Sequence, residues 1–305
     1  FNNRAFGKTL VQQFSAMAAE GEQTRWISLI STNHAMGVEL KIKEKSGRPH
    51  YVAKLFDPNR TTSHVSVTSD SLHTFETLTL ENFIANENLY KKYYPEPEGY
   101  SSMFVRPNAQ EEQGITDPAQ GVVENRALTS SIENKEINAT VLWHMLTYGF
   151  AADLRYLKDE IVSRPMNEQI QLLAAKSTHY PGLFMALQNG HADAIKAFDE
   201  LFGEVSLHAS IEQCTELLAA KDTRNIPGLF MAFKNGHAGA IKSFCDLLSR
   251  VPAEPRVELL GAEYEGMSGL FVALGLGHAG AVKAFGELLL LMPDGQRARL
   301  LTVRS

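Results

Sequence analysis

The sequence predicts a mixed α and β region up to about residue 106, followed by an all-α solenoid of stacked helical repeats. Two observations carry this expectation. The first hundred residues combine one helical apolar pattern with short runs that alternate with period two, the mark of strands with one buried face. From residue 142 onward a block rich in Leu, Phe, Met and Ala and closed by a Gly-His turn keeps returning, and self-similarity at a fixed period marks a repeat architecture. Between them, from residue 106 to 121, the composition changes to Asn, Gln, Glu, Gly and Pro with few apolar residues, as a linker would. The chain therefore divides into 1–106, a linker at 107–121, and repeats over 122–305.

Residues 5–19 place Phe6, Leu10, Phe14 and Met17 at three- and four-residue spacings, one apolar helix face, which Gly21 ends. Residues 26–30 read as a short strand. Over 37–43, Val38, Leu40 and Ile42 alternate with Glu39, Lys41 and Lys43, a strand with one buried face. Residues 44–49 are turn chemistry, and 51–56 return as the second strand of a hairpin, stopped by Asp57-Pro58-Asn59. A short strand follows at 64–67. Residues 80–93 carry a helical pattern closed by Pro95 and Pro97, and 101–105 add a last strand.

The segment 182–192, Gly-Leu-Phe-Met-Ala-Leu-Gln-Asn-Gly-His-Ala, recurs at 228–238 and 269–279, with a degenerate copy at 142–149. The shared glycine falls at 149, 190, 236 and 277, so the unit repeats every 41 to 46 residues. Each unit reads as a first helix, an Asn-Gly-His turn and a second helix such as 194–201. A further apolar turn, 216–221 or 258–263, then leads into the next unit. One helix pair cannot bury its own apolar face, whereas stacked pairs share a continuous core. The architecture expected is ankyrin-like, with a period longer than the usual 33 or so. Leu300 and Leu301 read as the opening of another unit.

Bulk properties exclude several classes. The chain of 305 residues carries a net charge of −6 and a pI near 6.0, which argues against nucleic acid or an anionic membrane as the main partner, since both reward a basic face. No apolar run approaches the roughly 18 to 20 residues that span a bilayer. Two cysteines, Cys214 and Cys245, imply no disulfide framework, are too far apart for a zinc-ligand pair and suit a reducing compartment. The chain opens on Phe1 without methionine or signal-peptide character, so the true N-terminus is expected upstream.

The candidate chemistry lies at His34 and Asp57. A histidine at the mouth of one strand and a carboxylate at the end of its hairpin partner can share a hydrogen bond, the relation between a general base and the group that orients it. Read singly, Asp57-Pro58-Asn59 is a turn sequence and His34 a strand-end residue; the short hairpin between them makes the pair informative. His191, His237 and His278 occupy equivalent turns in different units. At about 10 Å per helical layer they are too far apart for one metal with ligands near 2 Å, and each is expected to bond neighbouring backbone. Cys214 and Cys245 fall on apolar helix faces (Ile211, Cys214, Leu217, Leu218; Ile241, Phe244, Cys245, Leu248) and read as core residues. No metal or cofactor is implied.

The blocks Asn33-His34-Ala35-Met36-Gly37-Val38-Glu39-Leu40-Lys41-Ile42-Lys43-Glu44 and Leu55-Phe56-Asp57-Pro58-Asn59-Arg60-Thr61-Thr62-Ser63-His64, with the repeats of 182–198, resemble the enterotoxin-2-like effectors of type III secretion, the EspL and OspD group. The resemblance runs from about residue 25 to the end. It implies an α+β papain-like cysteine protease domain, present in part over 1–106, and an ankyrin-like solenoid for binding substrate or partner. The implied protein is secreted into the host cell cytosol and cleaves host inflammatory and cell-death signalling proteins. His34 would be the general base and Asp57 its orienting residue. The family's nucleophilic cysteine precedes the histidine block, and no cysteine precedes His34 here. The chain is thus expected to be an inactive fragment whose cysteine lies upstream, or a member that has lost catalysis. Two other readings stand beside this one: a non-catalytic repeat-binding effector, and an NAD-dependent arginine-modifying effector, for which no NAD-binding signature is visible.

Overall fold

A computed structural model describes residues 1–59, 64–84, 86–95, 99–106, 137–177, 179–261, 263–290 and 292–301. The linker assigned to 107–121 and the start of the repeat region at 122 lie outside the described residues. The chain forms two compact units, Phe1–Glu136 and Ile137–Ser305.

The first unit is an antiparallel sheet with a helix on one face. Helix α1 (Phe6–Glu20) ends where Gly21 turns left-handed at φ 71° and returns its N–H to Ala18 and Met17. Phe6, Leu10, Phe14 and Met17 are all fully buried, each contributing roughly 1.5–3 kcal/mol by leaving water. They pack on the sheet formed by β1 (Thr24–Ile30), β2 (Ala35–Lys45), β3 (Arg48–Phe56), β4 (Val65–Ser69) and β5 (Ser102–Arg106). The spatial order is β4-β3-β2-β1-β5, and every neighbour is antiparallel. Ile27, Val38 and Leu55 form one cross-strand row facing α1, with Leu29 beside Met36 and Leu40 beside Ala53.

The β2–β3 hairpin closes through Ser46-Gly47, both at positive φ (53° and 75°), the two-residue geometry whose twist matches that of the strands. Its strands are longer than the sequence suggests: Arg48 and Pro49 pair with Lys45 and Glu44, so residues read as turn belong to the ladder. The expected helix over 80–93 is also corrected. Leu80–Phe83 is a 3-10 turn, and a separate helix α2 (Glu87–Tyr93) starts at Asn86, whose side chain accepts from the Leu89 N–H. An Asn at this position favours capping over continuing a helix.

In the second unit, first helices α3 (Ala139–Tyr148), α4 (Gly182–Gln188), α5 (Gly228–Lys234) and α6 (Gly269–Gly275) stack side by side. So do the second helices α7 (Ala192–Val205), α8 (Ala238–Leu248) and α9 (Ala279–Leu290). The apolar turns expected at 216–221 and 258–263 lie at the ends of third helices, α10 (Ile211–Ala219), on which the sequence places the Cys214 face, and α11 (Ala253–Leu260); α12 (Asp294–Leu301) is the corresponding helix of the last unit. A capping box at Ser210 and Gln213 starts α10, and this extra helix accounts for the long period. Leu300 and Leu301 therefore end a third helix, with Leu300 buried against the preceding layer.

The Asn-Gly-His turns couple the layers. Gly149, Gly190, Gly236 and Gly277 have φ between 73° and 79°, which glycine adopts without steric cost. A Cβ on Gly149, Gly190 or Gly236 would lie 2.7–2.8 Å from Nδ1 of His191, His237 or His278, the histidine of the next unit, whereas at Gly277 no atom of the described residues lies within 4 Å. His191 Nε2 donates to the Thr147 carbonyl at 3.0 Å, His278 Nε2 to that of Lys234 at 3.0 Å. Asn189 and Asn235 donate to the Thr147 and Gln188 carbonyls at 3.0 and 2.9 Å. These acceptors belong to the last turn of a helix, where carbonyls lack partners along the chain. His191 and His278 thus bond backbone as expected, and the backbone belongs to the preceding unit.

Two outcomes follow from this coupling. Gly190→Ala should cost about 2–3 kcal/mol, of which about 1–2 is the left-handed backbone and the rest displacement of His237. Gly277→Ala should bear the backbone share alone; paired thermal melts measure the difference. Burial holds His191 below its ordinary value of 6.5, against the opposing effect of the Thr147 carbonyl. A lowered folded value means that His191 contributes stability fully above about pH 6.5, and that this is lost as pH falls through the folded value. Denaturant midpoints between pH 7.5 and 5 should fall less steeply in His191→Gln than in the parent.

Candidate functional site

The hairpin register places the candidate pair. Gly37 faces Phe56, so His34, just before β2, and Asp57, just after β3, emerge at the same end of adjacent strands. His34 Nε2 lies 3.0 Å from Asp57 Oδ1. The loop that delivers His34 is braced by Ser31, whose N–H donates to the His34 carbonyl at 2.8 Å and whose Oγ accepts from the His34 N–H at 3.0 Å. Asn33 Nδ2 donates to the Lys92 carbonyl at 3.0 Å, at the C-terminal end of α2, again a helix-end acceptor without an intrahelical partner.

Tyr93, the last residue of α2, completes the arrangement. Its ring stacks on His34 with centroids 3.8 Å apart and planes 18° from parallel, and its hydroxyl donates to Asp57 Oδ2 at 2.7 Å. Asp57 Oδ1 also accepts from the Asn59 N–H at 2.9 Å, and Asn59 Nδ2 donates to the Tyr93 hydroxyl oxygen at 3.2 Å. The side chains of His34 and Asp57 are only 12% and 9% exposed. Burial by itself would raise the Asp57 carboxyl. The Tyr93 hydroxyl, the Asn59 N–H and His34 together outweigh it and hold the group below 3.8. Asp57 is therefore a carboxylate near neutral pH, and a carboxylate accepts from Nε2–H. That leaves the Nδ1 lone pair of a neutral His34 as the proton acceptor.

Beside the pair, a cleft of about 470 Å³ opens at the same strand ends, lined by Ser28, Ile30, Ala35, Met36, Gly37, Phe56, Asp57, Pro58 and His64. Both sequence-expected residues thus meet. Cys214 and Cys245 are buried in the helical unit; burial pushes both thiols up, Cys245 to about 12. The face drawn for Cys214 needs correcting, since Ile211 is 51% exposed. Among the described residues, no group of three or more His, Cys, Asp or Glu is placed to hold a metal, and no helix is long and apolar enough to cross a membrane. Tyr93 is the residue that sequence reasoning missed. Lying 36 residues from Asp57 at the end of an apolar helical pattern, it reads in sequence as a core aromatic.

The model of the family described as ShET2 enterotoxin, N-terminal region, matches residues 1–177. Effector protease OspD3 of Shigella flexneri is 29% identical over 210 residues, 65% of this chain and 34% of that protein. Ankyrin repeat protein A of Escherichia coli (strain K12) is 24% identical over 221 residues, 71% of this chain and 29% of that protein. The chain thus spans about a third of the length of these curated relatives. As the family model covers more than half of the chain and reaches from the sheet into the helical unit, the chain belongs to the ShET2 enterotoxin family and is of the EspL/OspD effector type.

Proposed function

We propose that residues 1–106 are part of a papain-like cysteine protease domain of a type III effector, in which His34 is the general base and Asp57 its orienting group. The observation that carries this is the bond from His34 Nε2 to a carboxylate clamped by Tyr93, which presents Nδ1 in the state that accepts a proton. The name of the relative OspD3, an effector protease, supports the reaction class. The nucleophile is assigned to a cysteine outside these 305 residues, because Cys214 and Cys245 are buried with raised thiols and only a thiolate attacks efficiently.

In this reading His34 Nδ1 takes the thiol proton and the thiolate attacks a peptide carbonyl. The resulting imidazolium, stabilised by Asp57, returns the proton to the leaving amine. Water, deprotonated by His34, then hydrolyses the thioester and regenerates the thiol. The helical unit is an ankyrin-like solenoid that binds substrate or another protein across its stacked layers, a reading that ankyrin repeat protein A supports. The substrates are host inflammatory and cell-death signalling proteins, and the protein acts in the host cytosol after secretion.

The test is cleavage of a candidate host protein by the full-length protein. His34→Ala should lower kcat/KM on the order of 10³-fold or more, and Asp57→Asn on the order of 10²- to 10⁴-fold, with circular dichroism unchanged; cleavage that survives both changes overturns the assignment. Tyr93→Phe tests the clamp. The folded Asp57 value lies below the unfolded one, so its contribution to stability is present above about pH 4 and is lost as pH falls through the folded value. Removing the Tyr93 donor raises that value, so the stability difference between pH 5 and 2 should shrink in Tyr93→Phe.

A further inference from the structure

The sheet has a second face, opposite α1, on which a row of apolar groups surrounds a strand glycine. The register sets Ser28 beside Gly37 and Gly37 beside Phe56, with Ile30 beside Ala35 in the next row. Trp26 is 41% exposed, and its ring lies 5.4 Å from that of Phe56, which in turn lies 4.6 Å from His64. Lys54 Nζ sits 4.7 Å above the Phe56 ring, and Glu39 lies between Lys54 and Trp26 in the register, at the side of the row away from the strand ends.

Gly37 is the informative residue. It weakens a strand interior without supplying the left-handed backbone for which glycine is usually needed, since its φ lies outside that region. Nor does crowding require it: among the described residues, the one atom within 4 Å of such a Cβ is Phe56 Cβ, at an ordinary 3.8 Å. What the missing side chain does is deepen the cleft of about 470 Å³ that Gly37 lines. A glycine inside a strand often marks a place where a ligand or another backbone approaches closely. The apolar walls on this face are Ile30, Phe56 and Pro58. Among the described residues of the lining the one carboxylate, Asp57, already accepts from His34, the Asn59 N–H and Tyr93, so it offers little to a cationic guest.

We propose that this cleft is a side-chain subsite for the polypeptide substrate. It takes one apolar side chain, aliphatic or a single aromatic ring, from an extended peptide whose neighbouring carbonyl is presented at His34. The proposal rests on the protease reading and deepens it: the cleft is lined by Asp57 itself and by the strand that follows His34, so the subsite and the proton acceptor lie at one strand end. Trp26 forms the outer edge through its contact with Phe56. A guest seated on Gly37 loses its water against Ile30 and Phe56, whereas a charged side chain would give up hydration against an apolar lining.

The test needs no nucleophile and uses the 305-residue chain. Three probes, N-acetyl-leucine methylamide and its aspartate and lysine counterparts, are titrated while amide resonances of Ala35, Gly37 and Phe56 and the Trp26 indole are followed by NMR. The leucine probe should shift these signals saturably, and the charged probes should bind at least ten-fold more weakly. Gly37→Val, which suits a strand, should weaken the leucine probe at least ten-fold, and Gly37→Ala by an intermediate factor. The subsite is overturned if no saturable shift occurs, if the three probes bind alike, or if Gly37→Ala and Gly37→Val leave binding unchanged. Selective binding without any cleavage by the full-length protein would keep the subsite and remove the protease. His34-dependent cleavage with a failed probe titration would remove the subsite alone.

Discussion

The candidate site depends on the register of one hairpin. Ser46 and Gly47, both at positive φ, close β2 onto β3 with a two-residue turn that leaves no slack in the pairing. That pairing sets Gly37 against Phe56, and so brings His34 and Asp57 out at the same end. A slip of one residue would turn Val38, Leu40 and Leu55 away from α1 and expose them to water. The hydrophobic core and the candidate pair are therefore held by the same constraint, and the burial of Phe6, Leu10, Phe14 and Met17 on the sheet keeps the polar pair in place from behind.

Within that frame Asp57 shows how an expensive group becomes useful. A carboxylate that is 9% exposed loses most of its hydration, and burial alone favours its neutral form. Three donors reverse the balance: the Tyr93 hydroxyl, the Asn59 N–H and the imidazole of His34. Tyr93 acts twice, since the ring that carries this hydroxyl also covers the His34 face at 3.8 Å. The imidazole is thus fixed in its plane by stacking, in its direction by Asp57, and in its backbone by Ser31. Such restraint keeps a base aligned without reorganisation when it acts.

The helical unit solves a different problem. A three-helix layer cannot bury both of its broad faces, so each layer must recognise the next. The Asn-Gly-His turn performs this recognition with two features that depend on each other. The glycine ends a helix in the left-handed conformation and, having no side chain, leaves room for the imidazole of the next unit. That imidazole then donates to a helix-end carbonyl, as at Thr147 and Lys234.

Much of this was legible in the amino-acid sequence because the signals are local. Period-two alternation marked β2, the turn residues after it marked β3 as its returning partner, three- and four-residue spacing marked α1, and the recurrence of glycines at 149, 190, 236 and 277 marked the layers. His34 and Asp57 could be paired from sequence because one short hairpin joins them. The break in the 80–93 pattern at Asn86 went unread, since capping there outweighs the pattern of apolar spacing; at Ile211–Ala219 the helix face was visible, but not its place as a third helix of the layer. What only the tertiary structure decided is what depends on contacts distant in sequence. Tyr93 reaches Asp57 across 36 residues, and His191 reaches Thr147 across 44. The open floor at Gly37 exists only once β1, β2 and β3 lie side by side. Sequence by itself determined which residues could form the elements and the pair; burial, stacking and the direction of each hydrogen bond arise when separate elements meet, and no local pattern encodes them.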